Sequence, residues 1–315
     1  MLNNSVTQTS DNSTLRISPR EFQEIKCDLN KVLNLFRHEK VLQTRELFRA
    51  GVSNIVGLSD TADSLRFLDV SKEEILQIIR RFQSATLQSQ NPFLLAFLNH
   101  DIIGPLSVFY SYFNLLEECH DDPDLYGQIA NIYSTVQDAE WFVRCFIENI
   151  QFWTDPSLLQ VASISLEKIV ERSIFYTSGR VGTMPIVHLP RDFQVQLNEG
   201  IFGLLLVNIF KNALFRGRAG LIDVVSEPIA DNRIRLNISD DGVGVSDELG
   251  SSIFDLGVSG SGSTGIGLGD AKMRLAACDA TIQCVPHGGL PSRHEQGKFG
   301  AKFVIEMASS LAVDI

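Results

Sequence analysis

Cysteine is scarce and scattered. The five residues Cys27, Cys119, Cys145, Cys278 and Cys284 are odd in number and form no CxxC pair, which argues against both a disulfide framework and a zinc ribbon. Such usage fits a reducing compartment. No apolar run approaches the roughly 18 residues of a membrane-spanning helix. The opening MLNNSVTQTSDNST also lacks the basic-then-apolar order of a signal peptide. A cytoplasmic location without membrane insertion is therefore expected. Basic charge is in deficit as well, with 27 Lys and Arg against 38 Asp and Glu and a formal net charge of -11. Phosphates would meet net repulsion, so neither nucleic acid nor an anionic membrane is expected as the main partner, although a local basic pocket is compatible with this balance. No GxxxxGK[ST] occurs, which excludes a P-loop. Internal repeats and low-complexity inserts are absent.

What is present is enough for two or three domains: 315 residues, of which 44% are hydrophobic and 21% charged. Residues 1–17 are polar and read as a disordered tail. Residues 18–86 read as a helical N-terminal region whose role the sequence does not disclose. Ser18-Pro19-Arg20-Glu21 supplies a cap, a first-turn proline and a capping-box acid, after which Phe22, Ile25, Leu29, Val32 and Phe36 recur at helical spacing. Ser71-Lys72-Glu73-Glu74 suggests a second such start before Ile75, Ile78, Ile79 and Phe82.

Residues 87–157 carry two longer patterns. Leu95, Leu98, Ile102, Leu106, Phe109, Phe113 and Leu116 form one apolar stripe. After a turn at HDDPD, where Asp122 caps and Pro123 opens, Leu125, Ile129, Ile132, Val136, Ala139, Val143, Phe146, Ile150 and Trp153 alternate spacings of four and three. A hairpin of two such helices has more apolar surface than it can bury alone. A dimeric four-helix bundle is the expected solution, with a hairpin packed inside a monomer as the alternative. Residues 158–310 turn to mixed helix and strand. SLEKIVERSIFY, GIFGLLLVNIFKNALF and GIGLGDAKMRLAAC read as helices, and FQVQL, LIDVVSEPI, RIRLNIS, TIQCV and AKFVIEM as strands, giving an α+β sandwich with helices on one face of a mostly antiparallel sheet.

Five segments carry chemistry. In FLNHDIIGPLSVF, His100 lies about 200° around the helix from both Leu98 and Ile102, so it is expected on the exposed side, beside Asp101. A carboxylate that accepts from one imidazole nitrogen leaves the other free to act as a nucleophile. Pro105 removes the backbone bond to the carbonyl of Asp101 and lets the helix bend there. Downstream, Asn208 and Asn212 stand four apart on a buried helix, where amides are costly unless they bind something. Asp240-Asp241-Gly242-Val243-Gly244 ends a strand with a fixed carboxylate and glycines that let a flat ligand reach the backbone. GSGSTGIGLGDAK, with Gly262, Gly265, Gly267 and Gly269, leads into a helix whose N-H groups suit phosphates. A short stretch around Phe254 reads as a mobile lid. Taken singly, a DGxG is often only a hairpin turn. The GSTGIG run is not a dinucleotide fingerprint either, because no strand directly precedes it.

In this order the segments resemble the bacterial two-component sensor histidine kinases: NHDIIGPLS as H box, NIFKNA as N box, DDGVG and GSTGIGLG as glycine boxes, and SIFDLG between them, over about residues 87–308. The resemblance implies a dimerisation and histidine-phosphotransfer hairpin followed by an ATP-binding domain, with ATP and Mg2+ as cofactors. By it, His100 accepts the phosphoryl group and Asp101 orients it as base. Asn208 and Asn212 help hold the nucleotide, with Asn212 on the metal ion. Asp240 reads the adenine amino group, and Gly242, Gly244, Gly265, Gly267 and Leu268 shape the pocket and lid. The implied partners are a second copy and a response-regulator receiver domain on another chain. Phosphoryl transfer asks the protein chiefly for positioning and charge neutralisation.

The chain also departs from the family pattern. Ile103 and Gly104 stand where Arg and Thr or Asn are usual, so weak phosphatase activity toward the partner is expected. Phe215 replaces a common Lys, leaving Arg216 or Lys211 to neutralise phosphate, and Ser263 replaces a frequent Gly. Two other functions compete. A histidine phosphotransferase adaptor with an ATP-free domain has no need of Asn212, Asp240 and the glycines. An ATP-driven clamp of the gyrase or mismatch-repair kind needs large transducing domains after the pocket.

Overall fold

The computed structural model describes residues 19–38, 41, 61–88, 102–121, 126–181, 185–246, 249–255, 268 and 271–311. The expectations for residues 1–17, Ser18, Leu95, Leu98, His100, Asp101, Asp122, Pro123, Leu125, Gly262, Ser263, Gly265, Gly267 and Gly269 lie outside them.

Four helices come first: α1 (Pro19–Phe36), α2 (Thr61–Gln88), α3 (Gly104–Asp121) and α4 (Tyr126–Thr154). Pro19 is the first residue of α1, where its missing N-H costs nothing. Helix α2 differs from the expectation. Its helix runs straight through Ser71, which is fully buried in mid-helix rather than capping a start. Leu68 extends the apolar spacing of Ile75, Ile78 and Phe82 upstream, and a small serine fits the seam between them. Ile102 and Ile103 make a wide, π-type turn directly before Pro105, as a missing backbone donor there predicts.

The four helices run up, down, up and down. Antiparallel packing of α1 on α4 is fixed by Phe22 against Trp153, with ring centroids 5.3 Å apart. Lys26 donates to Gln151 at 3.3 Å, and Arg37 to Glu140 at 2.6 Å. Helix α2 lies on α3 through the Lys72–Glu117 ion pair and meets α1 through Arg81–Asp28 at 2.7 Å. Phe36 reaches across to Phe109 and Tyr112, at 5.3 and 5.9 Å. Ile102, Leu106, Phe109, Phe113 and Leu116 of the α3 stripe are all buried, as are Val136, Ala139, Val143, Phe146 and Ile150 of α4. The face expected to meet a second hairpin is thus covered by α1 and α2 of the same chain, because these two helices bring their own matching stripes.

After a short 3₁₀ turn at Pro156–Leu158, the C-terminal part comprises β1 (Ala162–Ser165), α5 (Leu166–Val181), β2 (Ile186–His188), β3 (Gln194–Leu197), α6 (Glu199–Lys211), β4 (Leu221–Ile229), β5 (Arg233–Asp240), α7 (Ala271–Ala276), β6 (Thr281–Val285) and β7 (Lys302–Ala308). The main sheet has the order β2-β4-β5-β7-β6, with only β2–β4 parallel, and β1 pairs with β3 in a separate ribbon. Alternate residues Ile234, Leu236 and Ile238 of β5 and Phe303, Ile305 and Met307 of β7 are buried beneath the helices. This is the expected α+β sandwich. Asp231 and Asn232 turn β4 into β5 with positive φ of 62° and 55°, a conformation that Asp and Asn tolerate. Among the described residues no helix is long and apolar enough to cross a membrane.

Helix α4 is shared by both parts. Trp141, Phe142, Cys145 and Phe152 lie off its bundle stripe yet are buried, because α5 and α6 cover them. Phe142 stacks on Tyr176 of α5 at 4.6 Å. Trp141 Nε1–H donates to Glu199 at the start of α6, 2.9 Å away. Asn149, fully buried, donates to the carbonyls of Cys145 and Gly200 at 2.7 and 2.9 Å and accepts from Arg274 of α7 at 2.5 Å.

Candidate functional site

Helix α6 is capped by Asn198, whose side chain accepts from the N-H of Ile201 at 2.8 Å, and is buried along most of its length. At its end the chain widens into a π turn over Asn212–Arg216, closed by the N-H of Gly217 donating to the carbonyl of Asn212 at 2.9 Å. Such widened turns are uncommon and concentrate at functional sites. Asn208 and Asn212 are both half-buried. Asn208 donates its amide to the Leu204 carbonyl at 2.9 Å, which leaves its own oxygen free of that bond. The Asn212 side chain makes no hydrogen bond among the described residues. Arg216, in the last π residue, is exposed.

The loop after this turn is bound to the end of β5. Asp241 accepts from the N-H groups of Gly220 and Leu221 at 2.7 and 3.0 Å, and Val243 N-H donates to Gly217 at 3.1 Å. Asp240 is 6% exposed, and its Oδ1 accepts from the N-H groups of Gly242 at 2.9 Å and Ala301 at 3.3 Å. Its Oδ2 has no partner among the described residues. Burial pushes the Asp240 carboxyl above the usual carboxylate range, against the pull of these two N-H groups. Burial, helped by the negative charge of Asp240, lifts the nearby Cys284 thiol to about 11.

Backbone crowds this carboxylate. A Cβ on Gly242 would stand 2.6 Å from the Gly217 backbone oxygen, and one on Gly300 only 1.9 Å from the Asp240 backbone oxygen and 2.6 Å from its Oδ1. Gly244 has φ +76°, and its added Cβ would lie 2.6 Å from the Phe299 oxygen. The segment between β6 and β7 closes the recess: Leu290 N-H donates to the Asp240 carbonyl at 2.9 Å and Arg293 N-H to that of Asp241 at 3.0 Å. Gly300, Ala301 and Leu290 are contacts that sequence reading missed. They lie in or next to the GLPSRHEQGKFG run between TIQCV and AKFVIEM, to which sequence reading assigns no role.

Of the residues predicted for the site, the structure brings together Asp240, Gly242, Gly244 and, through the Gly217–Leu221 connection, the end of the helix bearing Asn208, Asn212 and Arg216. Leu268 is buried at 6% exposure, and its carbonyl accepts from Ala271 N-H at 3.2 Å as α7 begins. Phe254 is part of the core, edge-on to Phe303 at 6.3 Å, with Lys272 5.2 Å above its ring. Gly104 is the first residue of α3. Among the described residues no group of three or more His, Cys, Asp or Glu is placed to hold a metal ion.

Residues 198–310 match the family model of the histidine kinase-, DNA gyrase B- and HSP90-like ATPases, which takes in α6, the recess and the closing strands. The match is to the ATP-binding domain type that this model describes and covers about a third of the chain. Beyond it, 229 residues are 23% identical to Sensor protein KdpD of Escherichia coli (strain K12), covering 70% of this chain and 25% of that protein. The chain thus spans about a quarter of that relative's length. Solved structures with a related course are the mycobacterial sensor histidine kinase MprB (16% identity, TM-score 0.42, 48% of this chain and 98% of that one) and the Acinetobacter baumannii histidine kinase AdeS (16%, 0.39, 67% and 98%). The resemblance to two-component sensor histidine kinases, carried first by the order of five motifs, is shown by the family and sequence matches together.

Proposed function

We propose that this chain is an ATP-dependent protein histidine kinase that phosphorylates itself on His100 and passes the phosphoryl group to an aspartate of a response-regulator receiver domain on another chain. One observation carries the nucleotide half of the reading. Asp240 is buried in a glycine-walled recess with one oxygen held by backbone N-H groups and the other without a partner among the described residues. An adenine amino group is a donor that such an oxygen lacks. Gly242, Gly244, Gly265, Gly267 and Leu268 are the proposed walls and lid of the nucleotide.

The donor set at the end of α6 fits a hard cation, since the carbonyl oxygen of Asn212, with that of Asn208 nearby, is the ligand type that Mg2+ prefers. When bound, the ion neutralises charge on the nucleotide's phosphates. Arg216 or Lys211 adds positive charge at the same end of the recess. At the other reacting centre, Asp101 would accept a hydrogen bond from the proton-bearing ring nitrogen of His100 and so keep the other nitrogen's lone pair free. That lone pair forms the N–P bond as the bond from the γ-phosphorus to the β–γ bridging oxygen breaks, and ADP leaves. In the second step the N–P bond breaks and a carboxylate O–P bond forms on the receiver.

The test is incubation with γ-labelled ATP and Mg2+ beside a His100→Gln variant. Acid-labile, alkali-stable label that vanishes in the variant is expected. Label surviving the substitution overturns the assignment of His100, and failure to bind ATP overturns the enzyme reading in favour of an adaptor.

A further inference from the structure

A hairpin that dimerises must present an apolar seam to its partner, and in this chain the seam is occupied. Six residues of α1 (Phe22, Ile25, Leu29, Val32, Leu33 and Phe36) are 5% exposed or less. Ile75, Ile78, Ile79 and Phe82 of α2 are 6% exposed or less. Both sets face the stripes of α3 and α4. Among the described residues of all four helices, Val70 alone is a large apolar side chain left exposed. The contacts also close into a ring, α1 to α4, α4 to α3, α3 to α2 and α2 back to α1, with every neighbour antiparallel. Polar pairs hold the joins: Arg37–Glu140, Lys72–Glu117 and Arg81–Asp28. Four consecutive antiparallel helices around one core form a complete bundle, with no fifth place to fill. The outer side of α4 is taken as well, by α5 and α6.

We infer that α1 and α2 stand in for the second hairpin, so that this protein works as a single copy and moves the phosphoryl group from nucleotide to His100 within one chain. The N-terminal region thereby gains a role: it is the other half of the bundle. A second copy could reach the hairpin only by displacing α1 and α2, which would expose ten buried apolar side chains to water. The transfer half of this inference rests on the kinase reading; the one-copy half does not.

Two measurements separate them. Light scattering on the full-length protein, from about 1 to 100 μM to span ordinary dimer affinities, is expected to give the mass of one chain throughout. A two-chain mass in that range overturns the inference whether or not the protein is a kinase. Next, His100→Gln, which keeps the nucleotide recess, is mixed with Asp240→Asn, which keeps the histidine, and both are given labelled ATP. No label above that of each variant alone is expected, and the wild-type initial rate per molecule should stay constant over a tenfold dilution. Label in the mixture, or a rate per molecule that falls on dilution, overturns transfer within one chain. If wild type itself takes no label, the kinase reading fails, and the mass still decides the one-copy claim.

Discussion

At the scale of single residues, Asp240 stands out because it is a carboxylate held where water is scarce. Its pKa in the folded chain lies above the ordinary value, so the folded state takes up a proton more readily than the unfolded one between the two values. Stability therefore falls as pH rises from the ordinary carboxylate value through the raised value of the folded state. An amide in its place keeps an Oδ1 acceptor for Gly242 and Ala301 without the buried charge. Asp240→Asn is accordingly expected to melt higher than wild type at pH 7 and to show a flatter melting temperature between about pH 4 and 7. The same variant should lose roughly 10- to 100-fold in nucleotide affinity, the worth of about 1.5–3 kcal/mol for a hydrogen bond to a charged group. Calorimetric titration checks it, and a variant both unstable and tight-binding would contradict the role given to this side chain. Gly300 offers a steric counterpart. With an added Cβ only 1.9 Å from the Asp240 backbone oxygen, Gly300→Ala should force the β6–β7 segment outward and destabilise by about 1–3 kcal/mol, read from urea denaturation. Asp240 and Gly242 were legible in DDGVG because strand-end carboxylates and glycines have few other uses together. Gly300 and Ala301 were not, since a contact between strands 60 positions apart leaves no local pattern.

Elements show the same division. The strands β4 to β7 were readable from two-residue alternation, with Ala230-Asp231-Asn232 as the turn between the first two. Three-residue β2 is too short to have a period, and β1 lies in a polar ASIS run whose pairing with β3 is set from across the fold. The misplaced start of α2 has a similar cause, because a Ser-x-x-Glu pattern signals a cap only where the apolar spacing also begins, and here Leu68 precedes it. Helix α1 provides a test of packing. Leu29 is fully buried, and Leu29→Ala should cost about 2–5 kcal/mol in unfolding free energy, whereas Arg37→Ala, at a pair open to solvent, should cost less than about 1 kcal/mol. Equal effects would mean that α1 is not a core element.

For the whole molecule, periodicity revealed that the hairpin needed a cover but could not say which chain supplies it, since α1 and a second copy present similar stripes. Nor could it show that α4 is covered twice. The sequence WFVRCFIENI is apolar on more than one face, which marks a helix buried all round, and that signal is visible once two partners are looked for. The polar centre of this second contact is Asn149. Removing it leaves the buried Arg274 without that acceptor and the Gly200 carbonyl without that donor. Asn149→Ala should therefore lower stability by about 3 kcal/mol, while Asn149→Asp, which retains an acceptor for Arg274, should lose less at neutral pH. Thermal melts of the pair settle the order, and the reverse order would remove Arg274 from the account.

A helix gripped from two sides has no idle surface on which to roll. Turning α4 by even a fraction of the roughly 100° that separates successive residues would lift Phe146 and Ile150 from one core as it pressed Trp141 toward Gly203 in the other, where 2.8 Å already separates the indole from the place of a methyl group. Push and recoil on opposite flanks of one rod must then travel together. A tilt of α1 or α2 would then press on the foot of α6, whose thirteen residues, Glu199 to Lys211, carry Asn208 and lead into Asn212.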